Sequence, residues 1–158
     1  MKKNKIYLLT IIFIVTFFVS CEDSTEDQVE QTFDRSLVLL NWSDNIITPS
    51  YEAFQEKLGK LKTSVDKFKS NVTQENLDLV RSEWLNAYKA WQHVEMFNIG
   101  KAEEIYYSSK MNVYPANISR IKSNIDSEQY NLGNANNNSA QGFPALDYLL
   151  YGGISDGS

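Results

Sequence analysis

The sequence predicts an all-α protein, an antiparallel up-down helical bundle that follows a secretory signal. Apolar residues recur at alternating steps of three and four along several long segments, which places them on one side of an α-helix. Only a few residues separate two of these segments, so the helices they form are expected to lie antiparallel. The first twenty residues differ in composition from the rest, which marks them as a segment outside the bundle.

The predicted signal peptide occupies residues 1–20. Lys2, Lys3 and Lys5 give it a positive start, and residues 6–19 are almost wholly apolar. A basic start, a short apolar run and a small residue at the exit are typical of a secretory signal that is removed from the mature protein. The apolar run is too short to predict a transmembrane helix.

Cys21 is the only cysteine, and it follows Ser20 directly. This position resembles the processing site of a bacterial lipoprotein, in which the cysteine sulfur carries a diacylglycerol. Two acyl chains suffice for stable attachment to a membrane, whereas the alternative is a free or intermolecularly paired thiol. We expect Cys21 to be lipidated and the protein to lie in the bacterial cell envelope, at the outer membrane, either periplasmic or surface-exposed.

Acidic residues outnumber basic residues, and the formal net charge is −5. Without the three lysines of the signal, 12 basic and 20 acidic residues remain, a net charge of −8. Such a surface does not suit nucleic acids, so we expect no nucleic-acid partner. The polar, acidic residues 21–32 are predicted to form a tether, residues 33–153 the helical domain, and residues 154–158 a tail.

The first helix is predicted from an apolar side that comprises Val29, Phe33, Leu37, Leu40 and Ile47. Pro49 interrupts this pattern, because proline lacks a backbone N–H and clashes with the preceding turn. The helix therefore either kinks or restarts at this point.

The longest regular stripe follows Pro49 and predicts a second helix. It comprises Tyr51, Phe54, Leu58, Leu61, Val65, Phe68 and Val72. Lysines occupy the opposite side, which we interpret as the solvent face. Gly59 lies inside the pattern and is predicted to mark a close contact between helices.

Residues 73–100 are predicted to form the central helix of the bundle. Its apolar stripe comprises Leu77, Val80, Trp84, Ala87, Trp91 and Val94. Thr73 can cap the start by accepting a hydrogen bond from a free backbone N–H, and Gly100 can end the helix in the left-handed conformation. Because the tryptophans bring large apolar areas, we expect both to lie in the core.

Beyond residue 100 the apolar pattern weakens. Pro115 is predicted to open a helix whose apolar side comprises Ile118, Ile121 and Ile125. Residues 127–141 hold many asparagines and predict a loop that is either functional or mobile. Pro144 and Gly152 bound a final apolar helix in which Asp147 either faces water, caps the helix start or has a buried partner.

Two segments together resemble the imelysin family, exported helical proteins sometimes classed as metallopeptidases. The first, residues 84–100, is similar to the family's tryptophan-rich helix with a glutamate and a closing glycine. The second, residues 142–150, is similar to the segment that carries the family's Gly-x-His-x-x-Glu motif. The order and spacing of the segments carry the resemblance, which covers residues 36–152.

The chain departs from the motif at two positions. Gly142 keeps the glycine, but Pro144 stands where the family has histidine and Asp147 where it has glutamate. Proline has no lone pair to offer a metal and cannot act as a base. The only histidine, His93, is two residues from Glu95, so the two side chains point to different faces of a helix. The sequence therefore supplies no catalytic residue.

The leading hypothesis is a non-catalytic, lipid-anchored binding protein. The resemblance implies a role near iron, haem or other metal acquisition, since some imelysin-like proteins are iron-regulated. Glu95 and Asp147, helped by Tyr148, can give hard oxygen ligands to a metal ion such as iron, calcium or zinc. The pocket is then expected where the Glu95 end of the tryptophan helix meets residues 142–151. The alternative, in which Glu95 is exposed and Asp147 caps a helix, stays open.

Two further hypotheses compete with this one. The family name implies a metallopeptidase, although a catalytic zinc usually needs three protein ligands. The resemblance also implies a longer protein of two related helical halves, of which this chain matches the N-terminal half only. A structural remnant or assembly partner is therefore the third hypothesis, with a second helical half or a homodimer as the partner.

Overall fold

The computed structural model describes residues 33–152, and every regular element in this range is helical. The predictions for the signal peptide, Cys21, the tether and residues 153–158 lie outside the described residues. The α-helices are α1 Arg35–Trp42, α2 Thr48–Ser70, α3 Gln74–Trp91, α4 Lys101–Glu104, α5 Tyr107–Met111, α6 Ile118–Ser127 and α7 Gly142–Tyr151. A π-helix at Ser43–Ile47 and a 3₁₀-helix at Ala135–Ala140 complete the order. The all-α prediction is confirmed.

A π-helix lies directly before Pro49, where the sequence predicts that the helix either kinks or restarts. The α-helical pattern stops at Trp42, and the Thr48 N–H donates to the Ser43 carbonyl, five residues back. Pro49 then lies in the first turn of α2, where its missing N–H costs little. The Ser50 hydroxyl donates to the Ile46 carbonyl over 2.6 Å, which satisfies a group near the junction. The backbone therefore stays helical through the junction, and α2 begins at Thr48, one residue before Pro49.

Helices α2 and α3 form the predicted hairpin, joined by residues 71–73. Thr73 caps α3 as expected, because its side chain accepts a hydrogen bond from the Asn76 N–H. The Asn76 side chain donates to the Asn71 carbonyl over 2.7 Å and thereby holds the connection. The buried core is formed by Phe54, Leu61, Val80, Ala87, Trp91, Val94 and Phe143. The apolar stripes of both helices therefore face each other, as the sequence predicted.

The predicted end of the central helix at Gly100 is wrong. The helix ends at Trp91, and residues 92–96 form turns in which the Val94 N–H donates to the Trp91 carbonyl. Val94 stays buried, because a three-residue step keeps a side chain on the same face in a turn as in a helix. Gly100 does have a positive φ, of 56°, but it precedes α4 rather than ending α3.

Three smaller predictions also need correction. A Cβ on Gly59 would meet open space, so this glycine marks no close helix contact. Pro115 lies before α6 rather than in it, and the side chain of Asn117 caps that helix. The predicted loop at residues 127–141 contains the 3₁₀-helix, because the buried Asn137 side chain donates to the Asn131 carbonyl and fixes the backbone.

Helix α7 closes the core at the C-terminal end of the described range. It begins at Gly142, two residues before the predicted start at Pro144, and it gives way to Gly152, as the sequence predicted. Phe143 is buried against the rings of Phe54, Tyr88 and Trp91 at centroid distances of 5.2–6.4 Å. Within residues 33–152, no helix is both long and apolar enough to cross a bilayer.

Helix α1 is apolar but has no buried residue. Leu37, Leu39, Leu40 and Trp42 are 53–64% exposed, and Ile46 in the following π-helix is 46% exposed. The described residues do not cover this helix. Its predicted apolar side is only partly present: Leu37 and Leu40 lie in α1, whereas Phe33 precedes it, Ile47 lies in the π-helix and Val29 lies outside the described residues.

Candidate functional site

A groove of about 540 Å³ is enclosed by α3, α7 and residues 112–118. We call it the aromatic groove, because six aromatic side chains line it: Trp84, Tyr88, Tyr114, Phe143, Tyr148 and Tyr151. Its volume is in the range of sites that hold small organic ligands. The polar lining groups include the Asn112 amide, the Asp147 carboxylate and the tyrosine hydroxyls.

The α3 wall of the groove is a stacked pair of rings. Trp84 and Tyr88 lie one turn apart on α3, with ring centroids 5.5 Å apart and planes 11° from parallel. The Trp84 indole N–H donates to the Phe143 carbonyl of α7 over 3.3 Å. A backbone carbonyl oxygen has two lone pairs, so this bond ties the wall to α7 without displacing a hydrogen bond within the helix. The stacked pair is therefore held in one orientation.

Arg81 fixes the opposite end of α7. Its Nε and Nη2 atoms donate to the Leu150 carbonyl over 3.0 and 2.7 Å. Its guanidinium lies 4.9 Å from the centroid of the Tyr151 ring, within range of a cation–π contact. A helix C-terminus leaves its last carbonyls without partners, and a cation satisfies both the hydrogen bond and the dipole. Arg81 thereby positions Tyr151 at the edge of the groove.

Asp147 gives the groove its charge. It is exposed, and no Lys, Arg, His or Glu lies among the lining residues. It is the sixth residue of α7, whereas Gln141 occupies the N-cap, so Asp147 does not cap the helix. Of the three alternatives that the sequence left open, the structure supports the one in which the carboxylate faces water.

Gly142 has a structural role at the start of α7. Its φ is +76°, and a Cβ at this position would overlap the carbonyl oxygens of Met111 and Lys110. Only glycine tolerates this conformation together with such a close approach. The glycine of the motif is thus required for packing α7 on α5. Gly142 lines a second, more apolar groove rather than the aromatic groove.

Pro144 and Asp147, the positions that correspond to the histidine and glutamate of the motif, both line the aromatic groove. The two positions are three residues apart, less than one helical turn, so α7 presents the two side chains on the same side. A ring that can neither bind metal nor accept a proton therefore occupies the place beside the carboxylate.

The other predicted ligand does not share this groove. Glu95 is exposed in the turns after α3 and is not among the lining residues. His93 is also exposed and borders a different, smaller cavity together with Ile46 and Ala90. Within the described range, no three His, Cys, Asp or Glu side chains are grouped so that they could hold a metal ion. The assignment of Glu95 and Asp147 as metal ligands stays a prediction.

Comparisons with known proteins bear on the fold and the family. The imelysin family (peptidase M75) matches residues 47–157. The chain belongs to the imelysin family. This match covers more than half of the sequence and includes both segments on which the resemblance was based, the tryptophan-rich α3 and the α7 region.

Two relatives extend this result. The chain is 23% identical over 140 residues to iron-regulated protein A of Synechococcus elongatus, which covers 87% of this chain and 36% of that protein. The crystal structure of an imelysin peptidase from Bacteroides ovatus aligns with a TM-score of 0.64 at 22% identity, over 72% of this chain and 35% of that one. The chain therefore has the imelysin fold and spans about a third of the length of each relative.

Sequence reasoning missed several residues that line the aromatic groove or hold one of its walls. Arg81 lies one turn before Trp84 on α3, so both side chains lie on the same face of that helix and both reach α7. This spacing was the signal in the sequence that could have indicated the contact. Asn112 and Tyr114 belong to an irregular segment with no periodicity, so only the tertiary structure brings them beside α7.

Proposed function

We propose that this imelysin-family chain is a non-catalytic, lipid-anchored binding component of the bacterial cell envelope that takes part in the acquisition of iron or another metal. The relative named iron-regulated protein A supports the link to iron. The lipoprotein-type signal before Cys21 supports the anchor and the location.

The aromatic groove is the single observation that carries the binding role. It offers apolar ring faces and one water-facing carboxylate, Asp147. A hydrolytic metal site needs about three protein ligands around the ion and a base for the attacking water. Pro144 occupies the motif position from which the histidine would act. This chemistry favours holding a ligand over breaking a bond.

Asp147 is the residue that we expect to touch the metal or its complex. A carboxylate is a hard ligand and suits ferric or calcium ions, and phenol oxygens such as that of Tyr148 can complete the set. The ring faces of its walls also suit iron that arrives on a flat organic carrier such as haem.

Calorimetric titration of the full chain in mild detergent with Fe³⁺, Ca²⁺, Zn²⁺ and haemin tests the proposal. Saturable binding of at least one of these probes is expected, with an affinity at least ten-fold weaker in Asp147→Asn. Asp126→Asn, which removes an exposed carboxylate from α6 outside the groove, is the matched control and should bind normally. Glu95→Gln tests the second predicted ligand in the same assay. Binding that is unchanged in Asp147→Asn would exclude the groove.

The anchor is tested separately, by metabolic labelling with a radioactive fatty acid. The wild-type chain should incorporate the label and fractionate with the outer membrane, whereas Cys21→Ala should do neither. A wild-type chain without label would contradict the lipid anchor but leave the binding proposal intact.

A metallopeptidase is the second candidate, because the relative of known structure is described as a peptidase. It requires proteolysis by the purified chain that a chelator abolishes. Cleavage of a peptide library by the wild-type chain, lost on addition of the chelator, would favour this candidate over the non-catalytic role.

A further inference from the structure

The aromatic groove combines accessible rings with a single ionised group. Tyr114 and Tyr151 are 87% and 43% exposed, and Trp84 is only partly buried, so a ligand can reach all three rings. Asp147 is exposed as well. Among the described residues that line the groove there is no Lys, Arg or His, and Asp147 is the one carboxylate. The groove is therefore a negatively charged site with aromatic walls.

Aromatic rings attract cations to their faces, because the π-electrons give each face a partial negative charge. Tryptophan is the best ring for this contact. The protein itself contains one example at the edge of the groove, since the Arg81 guanidinium lies 4.9 Å from the centroid of the Tyr151 ring. This guanidinium also donates to the Leu150 carbonyl and pairs with Asp78 at 3.2 Å. Its charge is thus partly compensated, and Arg81 does not line the groove.

Two of the rings form a corner that is in place before any ligand binds. Trp84 is held by its hydrogen bond to the Phe143 carbonyl and by its stacking on Tyr88. The Tyr151 ring lies 5.9 Å from Trp84, centroid to centroid, with the two planes at 67°. Such a corner can contact a compact group from two sides. Because its rings are already ordered, binding loses little conformational entropy.

We propose that the aromatic groove binds a small organic cation, whose methylated ammonium group lies against Trp84 and Tyr151 and is paired with Asp147. Charge complementarity carries this assignment, because a neutral ligand of the same shape would gain apolar contact alone. A quaternary ammonium group has no N–H donor, so contact with rings leaves no polar hydrogen without a partner. The net charge of the chain, −5, adds an attractive field.

This ligand would occupy the groove without a metal ion, so the inference goes beyond a role in metal acquisition. A bare metal ion needs several oxygen ligands at once, whereas an organic cation needs one carboxylate and ring faces. The volume of about 540 Å³ also leaves space for the rest of a small molecule. The Asn112 amide, which lines the same groove, can hydrogen-bond a polar group on that part of the ligand.

Calorimetric titration of the full chain in a non-ionic detergent, with a chelator present throughout, tests the proposal. The probes are choline and its neutral carbon analogue, in which a tert-butyl group replaces the trimethylammonium group. Choline should bind saturably and about ten-fold or more tightly than the analogue. No saturable binding of choline, or equal affinities for both probes, would overturn the proposal. Metal binding is titrated separately and without chelator, so that failure would not count against the proposed function.

Variants separate the charge from the rings. Asp147→Asn keeps the shape of the side chain and should weaken choline about ten-fold while the affinity for the neutral analogue stays the same. Tyr151→Leu removes a ring and should weaken choline several-fold, and Tyr151→Phe should restore most of that loss. Asp126→Asn, outside the groove, should bind choline as the wild type does. Choline affinity that is unchanged in both Asp147→Asn and Tyr151→Leu would overturn the assignment to this groove.

Discussion

Two apolar stripes of this chain look alike in the sequence and have opposite fates in the structure. Phe54, Leu61, Val80 and Trp91 of the α2–α3 hairpin are at most 7% exposed, whereas Leu37 and Leu40 of α1 are 64% and 57% exposed. Both sets follow helical spacing. The spacing determines that a helix forms with an apolar side, but the position of other helices determines whether that side is covered.

The hairpin has its partner nearby in the chain. A three-residue connection brings α3 back along α2, so each helix covers the other at little cost in loop entropy. Helix α1 precedes the hairpin and continues into α2 through the π-helix, so no tight turn folds it back onto its neighbours. An uncovered apolar helix is therefore a feature of the topology of the described residues.

The largest expected effect comes from truncating the buried stripe. Phe54 contacts the rings of Trp91 and Phe143 at 5.7 and 6.3 Å, so Phe54→Ala leaves a cavity that the neighbours cannot fill. We expect a loss of about 3–5 kcal/mol in the free energy of unfolding. Leu40→Ala is the counterpart on α1 and should change the stability of the diluted chain by less than about 0.5 kcal/mol. Urea unfolding of both variants measures the difference, and equal losses would contradict the comparison.

Gly142→Ala is expected to have the next largest effect. A methyl group at this site would overlap the Met111 carbonyl oxygen, and the positive φ adds backbone strain. We expect a destabilisation of about 2–4 kcal/mol, because α7 has to move away from α5. The thermal midpoint and the near-ultraviolet spectrum of the aromatic core report this movement. A variant as stable as the wild type would mean that α7 does not pack on α5 as described.

Gly59→Ala should have a smaller effect of the opposite sign. Gly59 lies in the middle of α2, and a Cβ there would meet open space. Alanine reduces the conformational entropy of the unfolded chain, so we expect a gain of about 0.5–1 kcal/mol. The measurement is again urea unfolding, side by side with Gly142→Ala. A loss of stability would indicate that a partner contacts this side of α2.

The smallest effect is expected at an ion pair on the solvent side of α2. The hydrogen bond from Lys60, followed by the charge of Lys57, holds the pKa of Glu56 below its ordinary value of 4.5. A lowered pKa stabilises the folded state at pH values above the ordinary pKa. This stabilisation is lost as the pH falls through the lower pKa of the folded state. Glu56→Gln should therefore lower the thermal midpoint near pH 7 by about 1 °C or less.

Thermal unfolding of the wild type and Glu56→Gln over a pH series checks the sign. The two midpoints should converge as the pH falls through the lowered pKa of Glu56, because Glu56 of the wild type is then protonated as well. A difference that grows at low pH would contradict the direction of the pKa shift.

The regular helices could be predicted from the sequence because local chemistry determines them. The Thr73 cap, the interruption of the α-helical pattern before Pro49 and the apolar stripes of α2 and α3 each depend on residues within a few positions of one another. The fold class and the family followed from the same segments. The burial of Trp91 also followed, whereas Trp84 of the same stripe, which we expected in the core as well, is only partly buried and lines the aromatic groove.

Other features depend on contacts between distant parts of the chain. Residues 112–118 reach the aromatic groove only because α7 packs on both α3 and α5. The need for glycine at position 142 comes from the approach of the Met111 carbonyl, which no local pattern records. The end of α3 at Trp91 could not be predicted either, because Val94 is buried whether its segment forms a helix or a turn.

By itself, the sequence determined that apolar residues at helical spacing form an α2–α3 hairpin with its tryptophan core, because hydrogen bonding and hydrophobic periodicity act over a few residues. Only the tertiary structure decided which stripes are covered, since burial depends on where the rest of the chain lies. It left α1 open, and it placed Asp147 beside Pro144 in a groove lined by rings.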